Sequence, residues 1–306
     1  MKIVFMGTPA FAVPSLERLS REHRIAAVVT APDKPSGRGL ILSASPVKIF
    51  AQNAGMPILQ PENLDDPAFV EAIRAFDADL GVVVAFRKLP EAVFSAPRLG
   101  SINLHASLLP NYRGAAPIEW AVINGETQTG LTTFFIEPTL DTGKILLQTP
   151  VPIGENCTAG ELREQMQILG AELLSQTLRE LEAGKLVPKA QDPALAVRKA
   201  PKILPQDCIL DFRQPARRVA DRIRGLSPEP GARTNIGGKT LKIFFARPTY
   251  DFRPGPGRIV VENQKLFIGA SDGAVEVTDA QWEGRKRMSA AELVRGSRFG
   301  DRADGY

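Results

Sequence analysis

Over its first 150 residues the chain alternates short, β-branched apolar runs with stretches of helical spacing, and few architectures accept that order. Lys2–Met6, Ala26–Val29, Leu80–Val84 and Ser101–His105 read as buried strands, being short and bounded by turn residues. Between them, Ser45-Pro46 offers an N-cap and a first-turn proline. Val47, Phe50, Ala51 and Ala54 follow at helical spacing, and Gly55 ends the element. Asp66-Pro67 opens another helix in the same way. Strand–helix–strand alternation implies an α/β fold, a mostly parallel sheet with helices on both faces. Ligands of such sheets bind beyond the carboxyl ends of the strands, so chemistry is sought in the segments that follow them.

The pattern then changes. After a strand at Gly130–Ile136, Thr158 and Glu161 form a capping box. A long helix follows with Leu162, Met166, Leu169, Leu173 and Leu181 on one face, stopped by Gly184. A stretch rich in Pro, Lys and Gln reads as a linker over 186–207. Gln214–Arg224 is expected to be a short helix with Ala216, Val219 and Ile223 inward and four arginines outward. The strands beyond it, Leu241–Ala246, Gly257–Glu262, Lys265–Ile268 and Ala274–Thr278, have the spacing of a small β-barrel. Two domains are therefore expected, over 1–185 and 208–306.

Hydrophobic residues at 43% and charged ones at 24% exclude a disordered or fibrous chain. No apolar run nears the roughly 20 residues of a membrane span. The opening Met1–Gly7 is too short for a secretion signal and is stopped by Thr8-Pro9. Cys157 and Cys208 lie far apart with no CxxC, which supports neither a disulfide framework nor a zinc site and makes the expected compartment the cytoplasm. His23 and His105 are the only histidines, so sites needing several imidazoles are excluded and no metal is expected. Residues 201–306 hold 19 Lys and Arg against 13 Asp and Glu, whereas residues 1–200 hold 19 against 21. The basic C-terminal part fits a polyanionic partner or a solvated surface equally well.

Nucleotide fingerprints are missing. No GxGxxG follows the first strand, Gly37-Arg38-Gly39 has Leu42 where a third glycine would stand, and there is no Walker A sequence. A parallel sheet alone does not make a dinucleotide enzyme. The informative run is NLHASLLP at 103–110, continuing NYRGAAP at 111–117. Period-two alternation puts Asn103 and His105 on one face at a strand end. An amide donor beside an imidazole can stabilise an oxyanion while the imidazole accepts a proton, as acyl transfer requires. Asp141 in Leu140-Asp141-Thr142-Gly143 is a candidate for orienting that imidazole and stabilising its charged form. His23, in a polar stretch, is expected to be solvent-exposed and idle.

These residues resemble the folate-dependent formyltransferases, whose shared signature is NxHxSLLP followed by a DTG segment. The likeness runs nearly end to end: GTPAFAVPSL at 7–16, APDKPSGRG at 31–39, SPVK at 45–48, PRLGSINLHASLLPNYRGAAPI at 97–118, LDTGKIL at 140–146 and IRGLSP at 223–228. Residues 85–90 depart from it, reading Ala-Phe-Arg-Lys-Leu-Pro where many members carry Tyr-Gly. The resemblance implies a Rossmann-like formyltransferase domain followed by an OB-like, tRNA-binding one. It also implies 10-formyltetrahydrofolate as donor, the initiator methionyl-tRNA as acceptor, and a monomer. By resemblance Asn103, His105 and Asp141 are catalytic, and Ser107, Leu108, Leu109 and Pro110 contact the folate. The loop 33–40, with Lys34 and Arg38, would reach the acceptor end of the tRNA; its basic, glycine-rich composition suits phosphates. Arg217, Arg218, Arg222, Arg224, Lys239, Lys242, Arg285, Lys286 and Arg287 are candidate phosphate contacts. The same donor could instead formylate a small amine, a nucleotide sugar or a ribonucleotide.

Overall fold

The computed structural model describes residues 1–36, 41–296 and 299–304. They form two compact units, each discontinuous in sequence. The first comprises Met1–Gly114, Thr129–Val151 and Arg163–Lys199; the second comprises Ala115–Gln128, Pro152–Leu162 and Ala200–Tyr306. This division differs from the boundaries expected at 185 and 208. The helix Pro117–Ile123 belongs to the second unit because Ile123 packs in its core with Val219, Ala220 and Ile223. Among the described residues no helix is long and apolar enough to cross a membrane.

The first unit is built on a seven-stranded sheet. Its strands are β1 (Lys2–Gly7), β2 (Arg24–Val29), β3 (Ile58–Leu59), β4 (Leu80–Val84), β5 (Ser101–His105), β6 (Gln128–Phe135) and β7 (Ile145–Pro152). They lie in the order β7-β6-β5-β4-β1-β2-β3. The pairs from β3 through β5 are parallel, and β6 runs antiparallel to β5. The chain leaves β1 toward one edge and returns to β4 on its other side. The carboxyl ends of β1 and β4 therefore flank a topological switch point, with β5 next in line.

Helices α1 (Val13–Glu22), α2 (Pro46–Asn53) and α3 (Pro67–Ala75) cover the sheet. Ser45 Oγ accepts from the Lys48 amide and Asp66 Oδ1 from the Ala68 amide, the caps expected at both helices. Phe69, Val70 and Ile73 of α3 pack on Val4 and Met6 of β1 and Val83 of β4. Period-3.6 and period-2 patterns thus meet in one apolar layer. The long helix α4 (Ala159–Glu182) begins at the predicted capping box: the Thr158 amide donates to Glu161 Oε2 and the Glu161 amide to Thr158 Oγ1. A Cβ on Gly170 of this helix would lie 2.7 Å from Leu104 Cδ2, so the helix seats closely against β5.

The stretch 186–207 holds a 3-10 turn, Pro193–Leu195, a short strand, Lys199–Ala200, and the start of a second 3-10 turn, Pro205–Cys208. It is not a loose tether, because Lys189 exchanges two 2.8 Å backbone hydrogen bonds with Ile145 of β7.

His23 departs from expectation. Its side chain is buried, with Nδ1 3.3 Å from the Met1 α-amine and 3.6 Å from Glu182 Oε1, while Nε2 has no hydrogen-bond partner among the described residues. Burial, then the Met1 amine, pushes its pKa below the ordinary value, against the pull of Glu182 and Glu22. The ring is therefore neutral in the fold, whereas the unfolded chain takes up a proton near pH 6.5. Stability from this group is present above that pH and is lost as pH falls toward the folded value. The urea midpoint is expected to drop on acidification below about pH 6.5, and His23→Gln to flatten that slope. An unchanged slope would show that the ring is accommodated equally well when charged.

The second unit carries an antiparallel sheet of β8 (Ala232–Ile236), β9 (Lys239–Thr249), β10 (Ile259–Glu262), β11 (Lys265–Gly269), β12 (Ala274–Trp282) and β13 (Met288–Ser289). The order is β8-β9-β12-β11-β10, with β13 on β12. Strand β8 was not legible in sequence because its inward row, Ala232, Thr234 and Ile236, includes a polar residue and glycines flank it. Helix α5 (Ala216–Gly225) buries Ala216, Val219 and Ile223, as its spacing predicts. Arg224 is a correction: it points inward, 5% exposed, pairing with Asp221 at 2.9 Å and donating to the Cys157 carbonyl at 3.0 Å. A buried guanidinium needs such partners, and with them it cannot serve as a phosphate contact.

Candidate active site

Strand β5 ends at His105, and Asn103 stands two residues back on the same face. Register sets Asn103 opposite Val83 of β4 and Phe134 of β6, and His105 opposite Thr132. Asn103 is partly exposed, and among the described residues no hydrogen bond engages its side-chain amide. His105 is 6% exposed, edge-on to the Phe134 ring. Its Nε2 lies 2.8 Å from the Tyr112 carbonyl. A carbonyl only accepts, so Nε2 carries the ring proton and Nδ1 is left as the basic nitrogen.

Nδ1 faces Asp141 Oδ2 at 3.9 Å, beyond hydrogen-bond reach but close enough to attract the imidazolium. The imidazole is therefore held by the Tyr112 backbone, and the Asp141 carboxylate, expected to orient it, stands too far from Nδ1 for a hydrogen bond. Asp141 is 8% exposed and lies in the turn between β6 and β7 with φ +54°, a left-handed conformation that Asp tolerates better than most residues. Its Oδ2 accepts from the Gly114 amide at 2.9 Å. Gly143 closes that turn because a Cβ there would stand 1.7 Å from the Phe135 carbonyl oxygen.

The loop after β5 is tied down from within. Ser107 is fully buried and donates to the Asn111 carbonyl at 2.6 Å. Thr132 Oγ1 donates to the Ser107 carbonyl and accepts from the Leu109 amide, while Gln148 Nε2 donates to the Leu109 carbonyl. Leu109 and Pro110 are also buried, so Leu108 is the one of the four with a partly exposed side chain. The others shape the backbone. Residues that sequence reasoning missed complete the site. Gln191, inside the stretch read as a linker, donates through Nε2 to the Asp141 and Gly143 carbonyls at 3.0 and 2.8 Å. It accepts from Arg113 Nε and Nη2 at 3.1 and 2.6 Å. Polar residues in a Pro- and Lys-rich stretch carry no periodic signal that could have revealed this.

The basic candidates are not equivalent. Lys34 is exposed on a two-stranded hairpin, Lys34–Ser36 with Ile41–Ser43, whose base is held by Asp33 between Lys48 Nζ at 2.5 Å and Gln60 Nε2 at 2.9 Å. Arg38 lies outside the described residues. Arg217 pairs with Glu155 and Asp221 at 2.9 and 3.2 Å, Arg218 is exposed and donates to the Asn124 carbonyl, and Arg222 donates to the Asp207 carbonyl. Lys242 is partly buried, Arg287 is paired with Asp279, and Lys239, Arg285 and Lys286 are exposed.

A buried imidazole with one basic nitrogen facing a carboxylate, and an unengaged amide two residues away, is equipped for acyl transfer to a nitrogen nucleophile. The comparisons make that class specific. The formyl transferase family model matches residues 1–178, and the model of the formyl transferase C-terminal domain matches residues 202–298. A methionyl-tRNA formyltransferase of Syntrophus aciditrophicus is 47% identical over 98% of this chain and 97% of its own length. One of Bacteroides thetaiotaomicron is 44% identical over 100% and 98%. The fold is shared with a Helicobacter canadensis N-formyltransferase solved with folinic acid and dTDP-3-aminofucose, at TM-score 0.69 and 20% identity over 92% of this chain and 99% of that one. It is also shared with Aquifex aeolicus HypX solved with tetrahydrofolic acid, at TM-score 0.65 and 20% identity over 96% of this chain and 47% of that one. This chain belongs to the formyl transferase family.

Proposed function

We propose that the chain transfers the formyl group of 10-formyltetrahydrofolate to the α-amine of methionine esterified to the initiator tRNA. The observation that carries this reading is 44–47% identity, over nearly the whole length of both chains, to methionyl-tRNA formyltransferases. The site supports it. The amine attacks the formyl carbon, and the Asn103 amide donates to the oxyanion that develops. His105 Nδ1 takes the amine proton, and Asp141 stabilises the imidazolium. The bond from the formyl carbon to N10 then breaks, N10 is protonated, and the products are N-formylmethionyl-tRNA and tetrahydrofolate with no net proton change.

Residues 1–185 act as the Rossmann-like catalytic domain in this reading and 208–306 as an OB-like domain for tRNA. Closure of the second sheet into a barrel is supported by residues 301–304. Ala303 donates to the Gly257 carbonyl beside β10, and Asp304 donates to the Asn235 carbonyl of β8. Ser107–Pro110 form the folate-side loop, with Leu108 in contact. Lys34, Arg38, Lys239, Arg285 and Lys286 approach tRNA phosphates, while Arg217, Arg218, Arg222 and Lys242 must first exchange internal partners. The enzyme works as a cytoplasmic monomer in this reading, and its unpaired cysteines support the compartment.

The test is transfer of label from 10-formyltetrahydrofolate to methionyl-tRNA, initiator against elongator. Labelling of the initiator alone is the expected result; transfer to neither would overturn the acceptor. A second reading, formylation of a small amine, draws on the Helicobacter canadensis likeness, which spans nearly the same length. Amino-sugar nucleotides belong in the same assay. tRNA affinity should fall steeply with salt, by roughly tenfold between 50 and 200 mM for every two phosphates whose counterions binding releases. Salt-independent binding would remove the exposed cations from the interface.

A further inference from the structure

We propose that Gln191, clamped by Arg113, is a positioning residue that holds Asp141 against His105 from outside the motifs. This inference rests on the formyl-transfer reading for its kinetic test, and on geometry alone for its structural one. Asp141 is gripped at two points. Its carboxylate accepts from the Gly114 amide at 2.9 Å, and its carbonyl accepts from Gln191 Nε2 at 3.0 Å. The same Nε2 donates to the Gly143 carbonyl at 2.8 Å, so one amide nitrogen bridges both sides of Thr142.

The orientation of the Gln191 side chain is unambiguous. Arg113 offers only donors, at 3.1 and 2.6 Å from Oε1, and the two carbonyls only accept, so oxygen and nitrogen cannot be exchanged. Both grips lead to the dipeptide Arg113–Gly114: the carboxylate directly, the carbonyl through Gln191. Tyr112, whose carbonyl orients His105, precedes that dipeptide. One short backbone segment therefore sets the imidazole and the carboxylate together. A left-handed Asp persists only where its surroundings determine it, and the Gln191 amide supplies part of that determination. The stretch 186–199 is thereby a working wall of the site.

Gln191→Ala and Gln191→Glu separate the parts of this device. A glutamate keeps the Arg113 partner but cannot donate to either carbonyl. Both variants are expected to lower kcat by about 10²-fold, the cost of misplacing a catalytic group by about 1 Å, with KM for folate and tRNA unchanged. Added to Asp141→Asn, Gln191→Ala should cost little more, because the two act as a unit. Thermal midpoints of all variants are measured alongside, so that misfolding is not read as lost positioning.

An active wild type with a wild-type-like Gln191→Glu, or full additivity with Asp141→Asn, overturns the proposal. The activity-independent readout is the NMR resonance of the Gly114 amide, which donates to Asp141. Gln191→Ala and Gln191→Glu should move it toward its position in Asp141→Ala, and an unmoved resonance overturns the proposal whatever the assay gives. An inactive wild type with a moved Gly114 resonance would instead sink the functional reading and leave the positioning intact.

Discussion

Replacing His105 with alanine is expected to lower kcat/KM for formyl transfer by about 10²–10⁴, the loss typical of removing an acid–base group. The reason is geometric. Tyr112 fixes the proton on Nε2, so Nδ1 is the one basic nitrogen of the ring, and it faces Asp141. Asn103→Ala should cost about 10²–10³, the range for one oxyanion donor. The double variant should lose far less than the product of the two, because removing one member of a unit already disables it. Circular dichroism and folate binding serve as controls, since Asn103 is partly exposed and engages no partner among the described residues. Either single variant at near-normal kcat/KM would remove that residue from the chemistry.

The second large effect is expected at Gly143. A methyl group there would stand 1.7 Å from the Phe135 carbonyl oxygen and within 3.3 Å of the Phe134 ring. A backbone oxygen in the adjoining strand cannot swing away as a side-chain tip can, so the turn itself must move. Asp141, two residues earlier, moves with it. Gly143→Ala should therefore abolish transfer as thoroughly as Asp141→Ala and lower stability by roughly 1–3 kcal/mol, the usual cost of overpacking. Urea unfolding together with kcat checks this. A variant active at the wild-type rate would show that the turn has slack the geometry does not indicate.

The two variants probe parts of the site that differ in how openly the chain displays them. Asn103 and His105 are legible because strand alternation is local: two residues apart means the same face, whatever the rest of the molecule does. The helix caps at Ser45, Asp66 and Thr158 are legible for the same reason, each being a bond between residues two or three apart. Asp141 was legible as a candidate, since a short polar residue before a Thr-Gly turn invites the question. Its role was not. The distance of 3.9 Å to Nδ1 and the donation from Gly114 depend on how two loops, 27 residues apart, meet.

Misreadings fall where long-range packing overrides local composition. His23 sits in a polar stretch, yet its ring is buried against Met1, just before β1, and the end of α4, which sequence neighbours cannot announce. Arg224 has the spacing of an outward arginine, but Asp221 and the Cys157 carbonyl draw it in. Gln191 lay in a stretch whose composition predicted only the absence of regular structure, yet its backbone carries the strand Lys199–Ala200 and the bridge of Lys189 to Ile145.

By itself, then, the order of residues determined the strand–helix alternation, the helix caps, the pair Asn103 and His105, and the candidacy of Asp141. Each of these follows from periodicity or bonding over a few residues, where backbone geometry leaves little choice. Tertiary structure alone decided the rest: which nitrogen of His105 is basic, why residue 143 must be glycine, and that Gly114 and Gln191 grip Asp141 from 27 and 50 positions away. Such contacts form when distant segments close on one another, and which segments do so is set by the burial of the whole core, not by any short stretch of chain.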